Sequence, residues 1–213
     1  MTFDEALADC PIVAILRGVR PDEIEAHAEA LYGAGVRILE VPLNSPDPFH
    51  TLERLTAAFG DRVVCGSGTV LSPEQVDRVA RSGGRIVVSP NTNPAVIART
   101  VELGLEPLPG FQSATEAFVA VEAGARVIKL FPAGSVGVGH LKALKAVLPP
   151  TVRVLAVGGA GPANMAEWWS AGARGFGLGS ELYKPGQSPE ETAAKAQAAV
   201  AAAGPLANGG ASA

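Results

Sequence analysis

Short runs of apolar, largely β-branched residues alternate along this chain with longer stretches patterned like amphipathic helices. The first pattern suits strands buried on both faces, the second suits helices that cover a sheet. Eight strands are predicted, at 12–18, 38–43, 63–69, 86–90, 106–110, 127–132, 154–159 and 175–180. A helix is expected after each, opened at Pro21, Pro48, Pro73, Pro94, Ser113, Gly139, Pro162 and Ser188, mostly residues suited to a first turn or an N-cap. Prolines 107 and 109 mark the fifth strand as an edge or an irregular one.

A quasi-repeat supports the count. "GVRILE", "GGRIVV", "GLEPL", "GARVIK" and "GARGFG" each place a glycine shortly before a strand. These glycines, Gly35, Gly83, Gly104, Gly124 and Gly172, are expected just past helix ends, where the chain turns back into the sheet. Eight such units with continuous apolar strands predict a compact single-domain (β/α)8 barrel, an α/β fold, over residues 1–204. The small, Gly-rich segment 205–213 is expected to be a disordered tail.

Composition narrows the function. Of 213 residues, 47% are hydrophobic and 18% charged, which is globular composition. A net charge of −4, with a pI near 5.4, argues against nucleic acid as the main partner. No apolar run is long enough to span a bilayer, and "MTFDEALADC" lacks the pattern of a secretory signal. A cytoplasmic protein without a membrane partner is therefore expected. Cys10 and Cys65 suggest neither a disulfide framework nor a CxxC site. His27, His50 and His140 fall in three separate helical stretches without HxH or HxxxH spacing, so no metal is expected.

In such a barrel the site lies at the C-terminal ends of the strands. Lys129 interrupts "RVIKLFPA" and Glu40 interrupts "RILEVPL", each a charge within an apolar run. Burial disfavours the ammonium, so the Lys129 pKa is expected to fall towards the range where a neutral amine attacks a carbonyl. Glu40 would then shuttle protons. A purely structural buried ion pair explains the same residues equally well at this point. The double glycine Gly158-Gly159 after strand seven, and Gly179-Ser180 after strand eight, are candidates for a phosphate site. Arg17 and Thr69 end strands one and three, where they would hold a carboxylate, though a solvated arginine and a plain turn fit too. Asn44 lies just beyond strand two. Cys65 reads as a small core residue, and Trp168-Trp169 as helix packing or an oligomer contact.

The motifs "LEVPLNSP", "GSGTV", "VVSPNTNP", "KLFPAGSVG", "AVGGAGPANM" and "GLGSELYKPGQS" together resemble the class I 2-keto-3-deoxy-6-phospho-sugar-acid aldolases over nearly the whole chain. The resemblance implies that Lys129 forms the Schiff base and Glu40 moves protons. It also implies that Arg17 and Thr69 hold the carboxylate, and that Gly158, Gly159, Leu178, Gly179 and Ser180 bind phosphate. The implied substrate is a small phosphorylated 2-keto-3-deoxy sugar acid, the implied assembly a homotrimer, and no cofactor is called for. "VPLNSP" places Asn44 where the gluconate branch of the family carries an arginine, which points to the galactonate branch. Two rivals stand beside this reading. One is a sugar-phosphate epimerase using Lys129 and Glu40 without a covalent step, and the other is a non-catalytic sugar-phosphate-binding protein.

Overall fold

The computed structural model describes residues 1–209. Its parallel strands are β1 (Ile12–Ile15), β2 (Ile38–Pro42), β3 (Val64–Gly68), β4 (Ile86–Val88), β5 (Glu106–Leu108), β6 (Gly110–Phe111), β7 (Val127–Leu130), β8 (Arg153–Val157) and β9 (Phe176–Leu178). They are hydrogen-bonded in the order β5-β4-β3-β2-β1-β9-β8-β7-β6. β5 and β6 are separated only by Pro109, so together they form one stave: β5 bonds β4 on one side and β6 bonds β7 on the other. The result is a ring of eight staves. Of the two expectations for the fifth strand the irregular one holds: it is no edge but is broken in place, because two prolines without N–H groups cannot sustain a continuous ladder.

The helices follow the strands: α2 (Ile24–Gly33), α3 (Pro48–Phe59), α4 (Pro73–Arg81), α5 (Pro94–Glu102), α6 (Ala114–Glu122), α7 (Ala133–Lys145), α8 (Met165–Ser170) and α9 (Pro189–Gly209). All five repeat glycines sit at φ between 71° and 108°, one residue past a helix C-cap. The bonds around Gly35 show the pattern. Gly35 N–H donates to Tyr32 and Val36 N–H to Leu31, a paired closure that uses two orphan carbonyls of the last turn. α7 begins at Ala133 rather than at the expected Gly139, with a non-helical Gly137 inside it. α9 extends into the segment expected to be a tail, and residues 210–213 of that segment lie outside the described residues. No helix among the described residues is long and apolar enough to cross a membrane.

One element escaped the sequence reading, α1 (Phe3–Asp9), which precedes the first strand. Its signal was present as a capping box: Thr2 Oγ1 accepts from Glu5 N–H, and the Glu5 carboxylate accepts from Thr2 N–H. Phe3, Ala6 and Leu7 pack with Val13, Ile38, Val64, Ile86, Val127 and Leu155, the residues that fill the lumen. The helix therefore plugs the N-terminal end of the barrel, and Asp4 pairs there with Arg153 and Arg126. A second, larger apolar layer lies between staves and helices and includes Cys65, Ile128, Trp168 and Leu178. With one end closed, access to the lumen is left to the C-terminal end.

Candidate active site

β7 places Lys129 and β2 places Glu40 on lumen-facing positions, in register with Leu155 and Gly66 of the neighbouring strands. Their staves are four apart in the ring of eight, so the two side chains face each other across the lumen. Lys129 is 7% exposed and Glu40 2%. They line one small, otherwise apolar chamber with Ile15, Val88, Leu108, Val157 and Gly177. Burial, with a smaller push from Arg17, lowers the Lys129 pKa to about 8 against the opposing pull of Glu40. Burial raises Glu40 to about 7, with Lys129 and Arg17 acting the other way. In both groups desolvation outweighs the attraction between them. Glu40 Oε2 has no hydrogen-bond partner. The sequence left open a structural ion pair, which would be expected to satisfy the carboxylate; an orphan buried oxygen facing an amine whose charged form is disfavoured is better suited to a guest than to stability.

Glycines make room for this pair. A Cβ on Gly68 would lie 2.5 Å from Glu40 Cδ, with Oε2 nearer still. Gly66 and Gly68 share the lumen face of β3, and Gly177 does so on β9, where a Cβ would meet Val157 Cγ2 at 2.7 Å. The sequence reading placed these residues inside the third and eighth strands without giving them a role, and so missed their part in the site. Their period-2 spacing was the available signal, since alternate residues of a strand share a face.

Next to the chamber, and sharing Ile15, Val157 and Gly177 with it, opens a cleft of about 190 Å³. Gly158, Gly159, Gly179 and Ser180 line it, and so does Arg17. Gly158 and Gly159 have φ of 80° and 89°, and Gly134 from the start of α7 packs so closely that a Cβ on Gly159 would fall 2.9 Å from its Cα. Asn164 braces this loop, accepting from Gly161 N–H and donating to Gly159 C=O, both at 2.9 Å. Two residues missed in the sequence complete the walls. Phe131 has its ring centroid 4.9 Å from Lys129 Nζ, and Glu181 brings a carboxylate that disfavours an anion at its own end of the cleft. The Leu178 side chain does not line the cleft; it is fully buried in the layer beneath the helices.

Arg17, Asn44 and Thr69 come together at the mouth. Arg17 Nη1 donates to Asn44 Oδ1 at 2.5 Å and, at the limit of a bond, to Thr69 Oγ1 at 3.5 Å. The arginine is thus held rather than merely solvated, and Thr69 adopts a left-handed φ of 57°. Of the other candidates, Cys65 is buried with its thiol pushed up to about 12 by desolvation, so it is no nucleophile. Trp168 is core, and Trp169 packs partly buried near Phe176.

A desolvated amine, a carboxylate opposite it and a glycine-lined cleft beside them, on a (β/α)8 barrel, are parts that an aldolase can use. The chain belongs to the KDPG and KHG aldolase family, whose pattern matches residues 3–198. It is 50% identical over 192 residues to the 2-dehydro-3-deoxy-6-phosphogalactonate aldolase of Escherichia coli (strain K12), covering 90% of this chain and 94% of that one. Its fold matches a solved structure described as native KDPGal with TM-score 0.91 and 48% identity, covering 93% of this chain and 96% of the other. A KDPG aldolase from Legionella pneumophila, solved with pyruvate captured as a covalent carbinolamine, matches with TM-score 0.83 and 26% identity over 93% and 96% of the two chains.

Proposed function

We propose that this chain cleaves 2-dehydro-3-deoxy-6-phosphogalactonate to pyruvate and D-glyceraldehyde 3-phosphate through a Schiff base on Lys129. The observation that carries the proposal is the buried amine, lowered to about 8, facing an unpaired buried carboxylate. At neutral pH such a lysine is uncharged in about one molecule in ten, orders of magnitude more than an exposed lysine. The neutral amine attacks the C2 ketone. Glu40, which titrates near the working pH, passes a proton to the carbinolamine hydroxyl so that it leaves as water. The resulting iminium withdraws electrons from C3. The Glu40 carboxylate takes the C4 hydroxyl proton as the C3–C4 bond breaks, and the aldehyde departs with the phosphate. Glu40 then returns a proton to the enamine carbon, and hydrolysis frees pyruvate and Lys129.

Arg17 and Thr69 hold the carboxylate at the mouth, and Asn44 fixes the guanidinium. The backbone N–H groups of Gly158, Gly159, Gly179 and Ser180 receive the phosphate. Similarity to the E. coli galactonate-series relative, with Asn44 after β2, favours the galactonate epimer. A cytoplasmic homotrimer is the compartment and assembly that accompany this reading, and sedimentation equilibrium tests the trimer.

Borohydride reduction with pyruvate is the test of the chemistry. Permanent labelling at Lys129 is expected; a clean absence favours the non-covalent acid–base rival. Pyruvate release from the galactonate- and gluconate-derived substrates tests the epimer. Equal rates would remove the narrower substrate while leaving the mechanism in place.

A further inference from the structure

Two adjacent residues after β2 hold two adjacent residues after β1. Asn44 takes the Arg17 side chain, while Ser45 Oγ accepts from the Gly18 backbone N–H at 2.9 Å. The first contact joins two exposed side chains, where water competes. The second ends on a serine only 7% exposed. Gly18 lies at φ +84° in a tight turn closed by Val19 N–H to Leu16 C=O at 3.3 Å, and Arg17 is the corner of that turn. On its other side Pro185 approaches until a Cβ on Gly18 would fall 2.7 Å from the proline Cγ. The turn that launches the guanidinium is therefore pinned between a buried hydroxyl and a proline ring.

We propose that Ser45 is a positioning residue for carboxylate recognition: its hydroxyl fixes the 16–19 turn and thereby aims Arg17 over the chamber that holds Lys129. The role rests on the Schiff-base reading above. Ser45 touches no substrate atom and acts only through Arg17, which gives it a signature that a general structural role lacks. Removing the hydroxyl weakens ligands that carry a carboxylate and leaves other ketones alone.

The test is borohydride trapping on the full chain, with pyruvate and, separately, with hydroxyacetone, which has no carboxylate. In S45A the half-saturating pyruvate concentration should rise roughly 3- to 10-fold, the effect of one hydrogen bond. The hydroxyacetone value should not change. In an R17A background, adding S45A should produce no further rise, since both act through one group. S45C keeps the volume but offers sulfur, a weak acceptor, and is read in place of S45A if the alanine variant does not fold. Unchanged pyruvate trapping, equal weakening of both ketones, or additive losses with R17A would each overturn the proposal. No labelling of the unsubstituted enzyme would overturn the Schiff-base reading itself and take the role of Ser45 with it.

Discussion

Replacing Gly68 by alanine separates the carboxylate from its task without touching either charged residue. The added Cβ would lie 2.5 Å from Glu40 Cδ and 2.8 Å from Oε1, where ordinary carbon contacts begin near 3.5 Å. The carboxylate must retreat by roughly 1–2 Å to restore contact distance. A misplacement of about 1 Å at a reacting group costs on the order of 100-fold in rate, so kcat should fall about that much. The stability change should stay near 1 kcal/mol, at the low end for overpacking, because the displaced atoms end a flexible side chain. Pyruvate release, followed through its reduction to lactate, gives kcat, and thermal melting gives the stability. Lys129 is untouched, so borohydride labelling with pyruvate should survive far better than turnover. A G68A enzyme with kcat within about threefold of the parent would refute the assignment of proton transfer to a carboxylate in that position.

Three further outcomes follow from the same geometry. E40Q should fold and lose on the order of 100-fold in kcat. In the parent, folded Glu40 titrates near 7 against an ordinary 4.5, so the folded state holds the extra proton and stability falls as pH rises through that window. The loss amounts to roughly 3 kcal/mol, and denaturant melts of E40Q across pH 4 to 8 should lack it. For K129M the sign reverses. Lys129 titrates near 8 folded against 10.5 unfolded, so the parent gains stability between those values, and the methionine variant should be inactive, unlabelled and free of that rise. G159A sets a Cβ 2.9 Å from Gly134 Cα on a residue at φ +89°, so KM for the phosphorylated substrate should rise at least several-fold while trapping with unphosphorylated pyruvate changes little.

Period and punctuation made the barrel legible. Continuous apolar strands and a glycine after five helices are local features; the five glycines all fall where the chain said they would, and so do the strands apart from the broken fifth. What local pattern hid was cooperation between distant residues. Pro107 and Pro109 announced an edge or an irregular strand, and only the closed ring shows that it is the irregular one, with each half-strand bonded to a different neighbour. Lys129 and Glu40 stood out as charges in apolar runs, yet Gly68 carried no role until the Glu40 carboxylate was seen to occupy its missing side chain. Leu178 carried a site role by resemblance, while the alternation of β9 turns its side chain away from the lumen. α1 stands outside the strand–helix alternation, so the repeat did not mark it although Thr2 and Glu5 spell its start.

The break at Pro109 lies beside the reactive lysine. Lys129 N–H donates to the Pro109 carbonyl, and Phe131 N–H to Phe111, so the stave bearing the amine is stitched to the one stave whose ladder is interrupted. Two imino acids withhold their donors there, which makes this seam the place where the ring parts at least cost. Under native-state deuterium exchange, the amides of Phe111, Lys129 and Phe131 should surrender their protons before those of Leu39 and Cys65 across the lumen. On that expectation the amine's side of the ring opens more readily than the carboxylate's.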